Sequence, residues 1–320
     1  MRLRQRLALL LTLVLAGFAV PLHAPAVWAQ SSTAEMPPMP RPRPLQPSSA
    51  TPPASASRAT EAIEAVTSAP QPVTLTGRIT PEGEPIPDGL VWRIFDSTAK
   101  ADGEMVLMAK SDQGIAQIEL PPGEYVVHVA YGRAQLSEPM SVVAGPNAFD
   151  FVLDAGALRL NSAVTGDIPI PPSMLTFDIF SGDNGNRTLV AEGLVPNDIV
   201  TLTAGTYHIV SHFGTINAVV RADLRIEPGQ LTDATLYHHA SQISFKLVSE
   251  AGGEAIADVE WTVKTADGET IFSDLGAFPS TVLAEGDYLV FAKQGEQVFN
   301  REFQVSSGSA REIEVLTAVY

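Results

Sequence analysis

Four histidines form the one constellation in this chain that could do chemistry. His208 and His212 stand four residues apart, and His238 and His239 are adjacent further along. Imidazole nitrogens are good ligands for zinc and copper, so three or four of these rings brought together would make a metal site. No Asp or Glu stands beside them at a fixed ligand spacing, which leaves the plainer alternative of four surface histidines. Beyond this pair of pairs the chemical vocabulary is thin. There is no Gly-x-Ser-x-Gly elbow, no Gly-Lys pair for a phosphate loop, no His-Glu-x-x-His and no dinucleotide-binding glycine run. Ser181-Gly-Asp-Asn-Gly-Asn186 lacks the later bidentate glutamate of a calcium loop and reads as a turn. These absences predict a chain that is not an enzyme, with no catalytic residues and no cofactor.

Composition narrows the partners. The chain has 20 basic against 36 acidic residues, a formal net charge of −16, and no cysteine. With no basic patch interleaved with aromatics, nucleic acid is excluded as a partner, and an anionic membrane surface would repel the protein. Zero cysteines exclude a disulfide framework, thiolate metal sites, a cysteine nucleophile and a lipid-bearing cysteine.

The elements that must position the histidines are written three times. Leu120-Pro-Pro-Gly123-Glu-Tyr125 returns as Leu202-Thr-Ala-Gly205-Thr-Tyr207 and as Leu283-Ala-Glu-Gly286-Asp-Tyr288. Each copy is followed by a second glycine (Gly132, Gly214, Gly295) and a third (Gly145, Gly229, Gly308) at nearly constant offsets. The period of about 80 residues exceeds that of a solenoid, so each copy needs its own core. The motif reads as strand, turn, strand: leucine inward, glycine in a turn with positive φ, tyrosine opening the next strand with its hydroxyl near a backbone group. Alternation then predicts three inward sets. They are Tyr125, Val127, Val129 and Tyr131; Tyr207, Ile209, Ser211 and Phe213; and Tyr288, Val290 and Ala292. His208 and His212 fall on the opposite, outward face, as does His128 in the first copy.

In the first copy, strand signals fall at 73–79, 90–96, 104–109, 115–120, 124–131, 136–143 and 148–153, joined by Gly, Pro, Asp and Asn turns. Trp92 and Trp261 occupy matching strand positions and read as core residues, with ligand stacking as the alternative. The predicted architecture is all-β: three tandem antiparallel sandwiches at 73–156, 157–240 and 241–320. Residues 1–29 have a signal-peptide layout, with Arg2, Arg4 and Arg6 before the apolar run 7–20 and a small-residue end at Val27-Trp28-Ala29. An uncleaved anchor is the alternative, although Pro21, His23 and Pro25 interrupt the span. Cleavage leaves no membrane span. Residues 30–72 are rich in Pro, Ser and Ala and read as a disordered tether or, alternatively, a ligand for a proline-binding module, with a short capped helix near 60–67.

The segment Leu120-Pro-Pro-Gly-Glu-Tyr-Val-Val127 and its two later copies resemble the carboxypeptidase-regulatory-like and transthyretin-like sandwich repeats of exported bacterial proteins. The resemblance covers residues 73–320 and implies an accessory role, without any catalytic residue to carry over. The expected protein is a periplasmic or secreted structural or interaction module whose partner is another envelope protein. Two alternatives stand beside it: a glycan or small-ligand module using end loops or the outward aromatics Phe291 and Phe299, and a metal-binding protein using His208, His212, His238 and His239. Lys246, Lys264 and Lys293 could form internal isopeptide bonds, but their positions do not repeat between copies and ordinary surface lysines are the simpler reading.

Overall fold

The computed structural model describes residues 68–99, 103–182 and 185–317 and, before them, residues 58, 60, 61 and 63–65. The expected signal at 1–29 and the proline-rich segment as far as residue 57 lie outside the described residues. Residues 60, 61 and 63–65 are helical where the capped helix is expected, and the Ser68 hydroxyl donates to the Glu64 carbonyl at 2.7 Å. Among the described residues no helix is long and apolar enough to cross a membrane.

The first repeat contains β1 (Gln71–Arg78), β2 (Leu90–Ala99), β3 (Met105–Ser111), β4 (Ile115–Leu120), β5 (Gly123–Tyr131), β6 (Ala134–Val142) and β7 (Asn147–Val152). The second contains β8 (Ala155–Val164), a two-residue β9 (Ile168–Pro169), β10 (Leu175–Ser181), β11 (Thr188–Leu194), β12 (Ile199–Thr203), β13 (Gly205–Phe213), β14 (Ala218–Ile226) and β15 (Leu231–His238). The third contains β16 (Ala240–Val248), β17 (Glu260–Thr265), β18 (Thr270–Leu275), β19 (Ser280–Ala284), β20 (Gly286–Gln294), β21 (Gln297–Val305) and β22 (Arg311–Leu316).

Each repeat is a sandwich with its own core. In the first, the sheet β4-β1-β7 faces the sheet β3-β2-β5-β6. The order recurs as β12-β8-β15 facing β11-β10-β13-β14, and as β19-β16-β22 facing β18-β17-β20-β21. One pair in each repeat is parallel: β1 with β7, β8 with β15, and β16 with β22. Strand count explains this departure from a purely antiparallel expectation. Apart from the two-residue β9, which lies off the sheet path, each repeat has seven strands that alternate in direction, so the first and the last run the same way and placing them side by side makes a parallel pair.

Period-two patterning fills the cores. Tyr125, Val127 and Val129 are buried, as are Tyr207, Ile209, Ser211 and Phe213, and Tyr288, Val290 and Ala292; Tyr131 is half-buried against the first core. Trp92, Phe177 and Trp261 take the same place in the three repeats and are fully buried. Each indole N–H still finds a carbonyl, Trp92 at Gln113 (2.9 Å) and Trp261 at Gly276 (2.8 Å), so burial leaves no unpaired donor there.

Gly205 and Gly286 meet the expectation of positive φ, and Gly123 does not. The φ values at 205 and 286 are 157° and 158°, a backbone conformation that L side chains rarely adopt. All three glycines open their strands, and a Cβ added to any of them would stand 3.6 to 4.0 Å from the tyrosine two residues on, an ordinary contact that does not crowd the ring. Left-handed glycines come one hairpin later, at Gly132 (φ 60°), Gly214 (φ 69°) and Gly295 (φ 56°).

Those hairpins join the repeats. A Cβ on Gly132 would lie 3.0 Å from Thr201 Cβ on β12, and one on Gly214 would lie 2.8 Å from Val282 Cβ on β19. At the first junction the Arg133 N–H donates to the Thr201 carbonyl at 3.0 Å. At the second, Asn217 donates to the Tyr288 hydroxyl and accepts from the Ala284 N–H, both at 2.9 Å. Gly295, in the last repeat, has nothing within 4 Å.

Candidate functional site

Strand β13 places the second repeat's polar groups. Alternation sends Tyr207, Ile209 and Ser211 into the core and His208 and His212 to the other face. On that outer face, His208 lies directly opposite Asp223 on β14, with Nδ1 2.7 Å from Oδ1. His212 reaches diagonally to Asp178 on β10, Nε2 to Oδ2 at 3.0 Å, while the Gly193 N–H donates to the other Asp178 oxygen at 2.9 Å. His208 is buried rather than exposed, and its Nε2 has no partner.

His238 ends β15 on the inner side and is fully buried. Its Nε2 lies 2.8 Å from Ser211 Oγ, which lies 2.9 Å from Ser162 Oγ on β8. The imidazole Nδ1 has no partner, and the ring stands edge-on to Phe213 with centroids 5.8 Å apart. A proton on Nε2 leaves a lone pair, rather than an N–H, unsatisfied at Nδ1. In that tautomer Nε2–H donates to Ser211, whose own hydroxyl donates to Ser162. Charging the ring would bury an unpaired N–H, and desolvation, reinforced by the fields of His212 and His239, pushes the His238 pKa down to about 4. Serine next to histidine invites a nucleophilic reading. Ser211 and His238 are fully buried and Ser162 is nearly so, leaving no face for a substrate, and the trio is a structural polar seam between the two sheets.

The four histidines therefore do not converge. His208 and His212 bind separate aspartates outside the sheet, His238 is sealed inside, and His239 is exposed beside Thr165 (3.3 Å). Among the described residues no group of three or more His, Asp or Glu could hold a metal ion. Sequence reasoning missed Ser162, although it carried a signal: it interrupts the apolar inward series Leu158, Leu160 and Val164 of β8.

The repeated motif does assemble. Tyr125, Tyr207 and Tyr288 each donate to the carbonyl four residues earlier, Pro121 (2.7 Å), Thr203 (2.8 Å) and Ala284 (2.9 Å). Leu120, Leu202 and Leu283 are buried just before these corners. Removing the hydroxyl is expected to cost about 1 kcal/mol in Tyr125→Phe and Tyr207→Phe. Tyr288→Phe should cost more, because its oxygen also accepts from Asn217. Local unfolding free energies from hydrogen exchange would rank the three, and equal losses would remove this role for Asn217.

The remaining candidates are ordinary surface chemistry. Lys246 sits between Glu312 (2.9 Å) and Glu314 (3.0 Å), and Lys293 pairs with Glu260 (3.1 Å). Lys264 holds its ammonium 5.4 Å from the centre of the Phe291 ring. Phe299, expected on the outward patch, packs against the third core because it lies opposite the inward Ala292. The outer sheet face of the third repeat carries a groove of about 580 Å³ that includes Lys264, Asp287, Leu289 and Glu302.

Residues 242–317 match the model of the Rhizobiales growth-associated tandem repeat domain. A search among curated proteins finds no match. Among solved structures the chain is similar to the Bacillus anthracis TIE protein, at 15% identity over 78% of this chain and 50% of that one, with a TM-score of 0.23. The chain thus spans about half the length of that protein. It is similar to the minor pilin of Streptococcus agalactiae at 14% identity, covering 52% of this chain and 95% of that one, with a TM-score of 0.31. A streptococcal ancillary pilin gives 10% identity, 78% and 100% coverage and a TM-score of 0.31. Scores of this size assign neither partner nor role. What attaches to named residues is the tandem-repeat match, carried by the third of three sandwiches that share one strand order.

Proposed function

We propose that this chain is a non-enzymatic, exported envelope protein whose three sandwiches serve as a structural or protein-interaction module. The observation that carries the reading is what the fold repeats. Tyrosine corners, buried aromatics and hairpin junctions recur from repeat to repeat, and these are folding devices. The polar groups that do not recur, in the second repeat, are taken up in buried or aspartate-bound pairs. Kinship with the accessory carboxypeptidase-regulatory-like and transthyretin-like repeats belongs to this reading, as does the signal layout of residues 1–29. Crosslinking in intact cells followed by mass spectrometry is expected to recover specific envelope proteins, and recovery of no protein neighbour above background would overturn the proposal.

The groove on the third repeat supports a second reading, a glycan or small-ligand module. Its carboxylates and the adjoining Phe291 offer hydroxyl-binding groups beside an apolar ring. Trp92 and Trp261 take no part in it, since both are sealed in their cores.

A further inference from the structure

Strand β3 differs from every other outer strand of the sheets that carry the buried Trp or Phe. Residues 105–109 read Met-Val-Leu-Met-Ala, five apolar residues in succession on a sheet edge. The other edge strands of these sheets, β6, β11, β14, β18 and β21, interrupt their apolar residues after at most three, with Glu138 and Pro139, Glu192, Arg221, Asp274 or Arg301 among the interruptions. Such charges and prolines are what keep an open edge from pairing with another chain. Met105, Val106, Leu107 and Met108 are all exposed, at 43%, 37%, 48% and 42%, so the run is uncovered on both faces of the sheet.

The run is also complementary to itself. Antiparallel pairing of two copies about a two-fold axis through Leu107 sets Leu107 opposite Leu107, Val106 opposite Met108 and Met105 opposite Ala109. One step further out, Glu104 of one copy comes opposite Lys110 of the other, at both ends. Every cross-strand pair is then apolar with apolar or acid with base, the combinations that stabilise paired strands. A parallel arrangement would set like charge against like. We propose that β3 is a self-association edge, joining two copies of this chain into one continuous sheet through β3. Because the contact is a single strand pair, smaller than a standard protein interface, the dimer is reversible and its share rises with concentration. This goes one step beyond the interaction-module reading and can fail without it.

The chain has no cysteine, which makes the test clean. The full chain carrying Leu107→Cys places its new thiol on the axis, next to its counterpart, and is expected to form a disulfide-linked dimer at least tenfold faster than Leu275→Cys. Leu275 ends the edge strand β18 and is 72% exposed, so it reports random collision. Light scattering of the unmodified chain across a concentration series should show reversible dimerisation, which Leu107→Lys removes by setting two ammonium groups face to face. Equal oxidation rates at the two positions, or a dimer unchanged by Leu107→Lys, would overturn the proposal. A monomer at all concentrations would also overturn it, while envelope neighbours still recovered by crosslinking would leave the interaction reading intact.

Discussion

Lowering the pH from 7 to 4.5 is expected to destabilise the second repeat by about 2 kcal/mol through His238 alone. The imidazole is neutral in the folded state down to its depressed pKa of about 4, whereas in the unfolded chain it takes up a proton near pH 6.5. Above 6.5 neither state is charged and the residue contributes nothing to pH dependence. As the pH falls between 6.5 and 4 the unfolded state binds the extra proton, so stability declines through that window and the loss levels off below it. Hydrogen exchange, corrected for intrinsic rates, should show amides of β8, β13 and β15 losing protection at pH 4.5 by a factor on the order of 50. His238→Leu has similar volume and no titrating group, and Ser211 keeps Ser162 as its partner. In that variant the decline between pH 6.5 and 4 should shrink to what the carboxylates contribute. A wild-type profile unchanged by the substitution would remove His238 as the cause.

The same residue shows what could be read from the chain and what could not. Strand positions, the core tyrosines and the equivalence of Trp92 and Trp261 follow from period-two alternation and tripled motifs, because both depend on local backbone geometry. The tyrosine corner was legible too, since a hydroxyl at the start of a strand has one nearby backbone to reach. His238 was not placed, although it stands two residues after the inward Leu236 and alternation puts it inside. Treating it as half of a His-His pair obscured its strand phase. Its partners lie on β8 and β13, far away in sequence, and no spacing rule connects Ser162, Ser211 and His238. The burial of His208 is a similar case: an outward strand position becomes buried only when cross-strand neighbours lean over it, which is a property of the assembled sheet. The motif glycines illustrate a third limit. Sequence showed that a side chain is absent at 123, 205 and 286 but not whether φ or space required it, and the structure gives φ at 205 and 286, while at 123 neither φ nor crowding excludes a side chain.

Truncating the buried tryptophans should separate how the three cores depend on one another. Trp261 stacks on Phe245 with ring centroids 5.7 Å apart, and Trp92 meets Phe151 edge-on at 5.6 Å. Either Trp→Ala change removes a fully buried ring and orphans a carbonyl, at a cost of about 3 to 5 kcal/mol. For a unit of about 80 residues that approaches its whole stability, so the altered repeat should unfold. The consequences for its neighbours differ. The first repeat touches the second through hairpin hydrogen bonds of Arg133 and Gln135, and the side chain its core takes from the second repeat is the small Ala155 at the start of β8. The second and third repeats do exchange side chains: Val282 of β19 belongs to the second core, and Ile216 of the second repeat packs on the third. Unfolding the third repeat withdraws Val282 and frees Asn217 from both of its partners. Trp261→Ala is therefore expected to raise hydrogen exchange throughout the third repeat and to loosen residues 214–218 and their surroundings in the second. Trp92→Ala should raise exchange in the first repeat and leave the third at its wild-type rate. If both variants melted all three repeats together, the cores would be one cooperative unit; if Trp261→Ala left residues 214–218 fully protected, the Val282 and Asn217 contacts would contribute nothing to holding the second repeat.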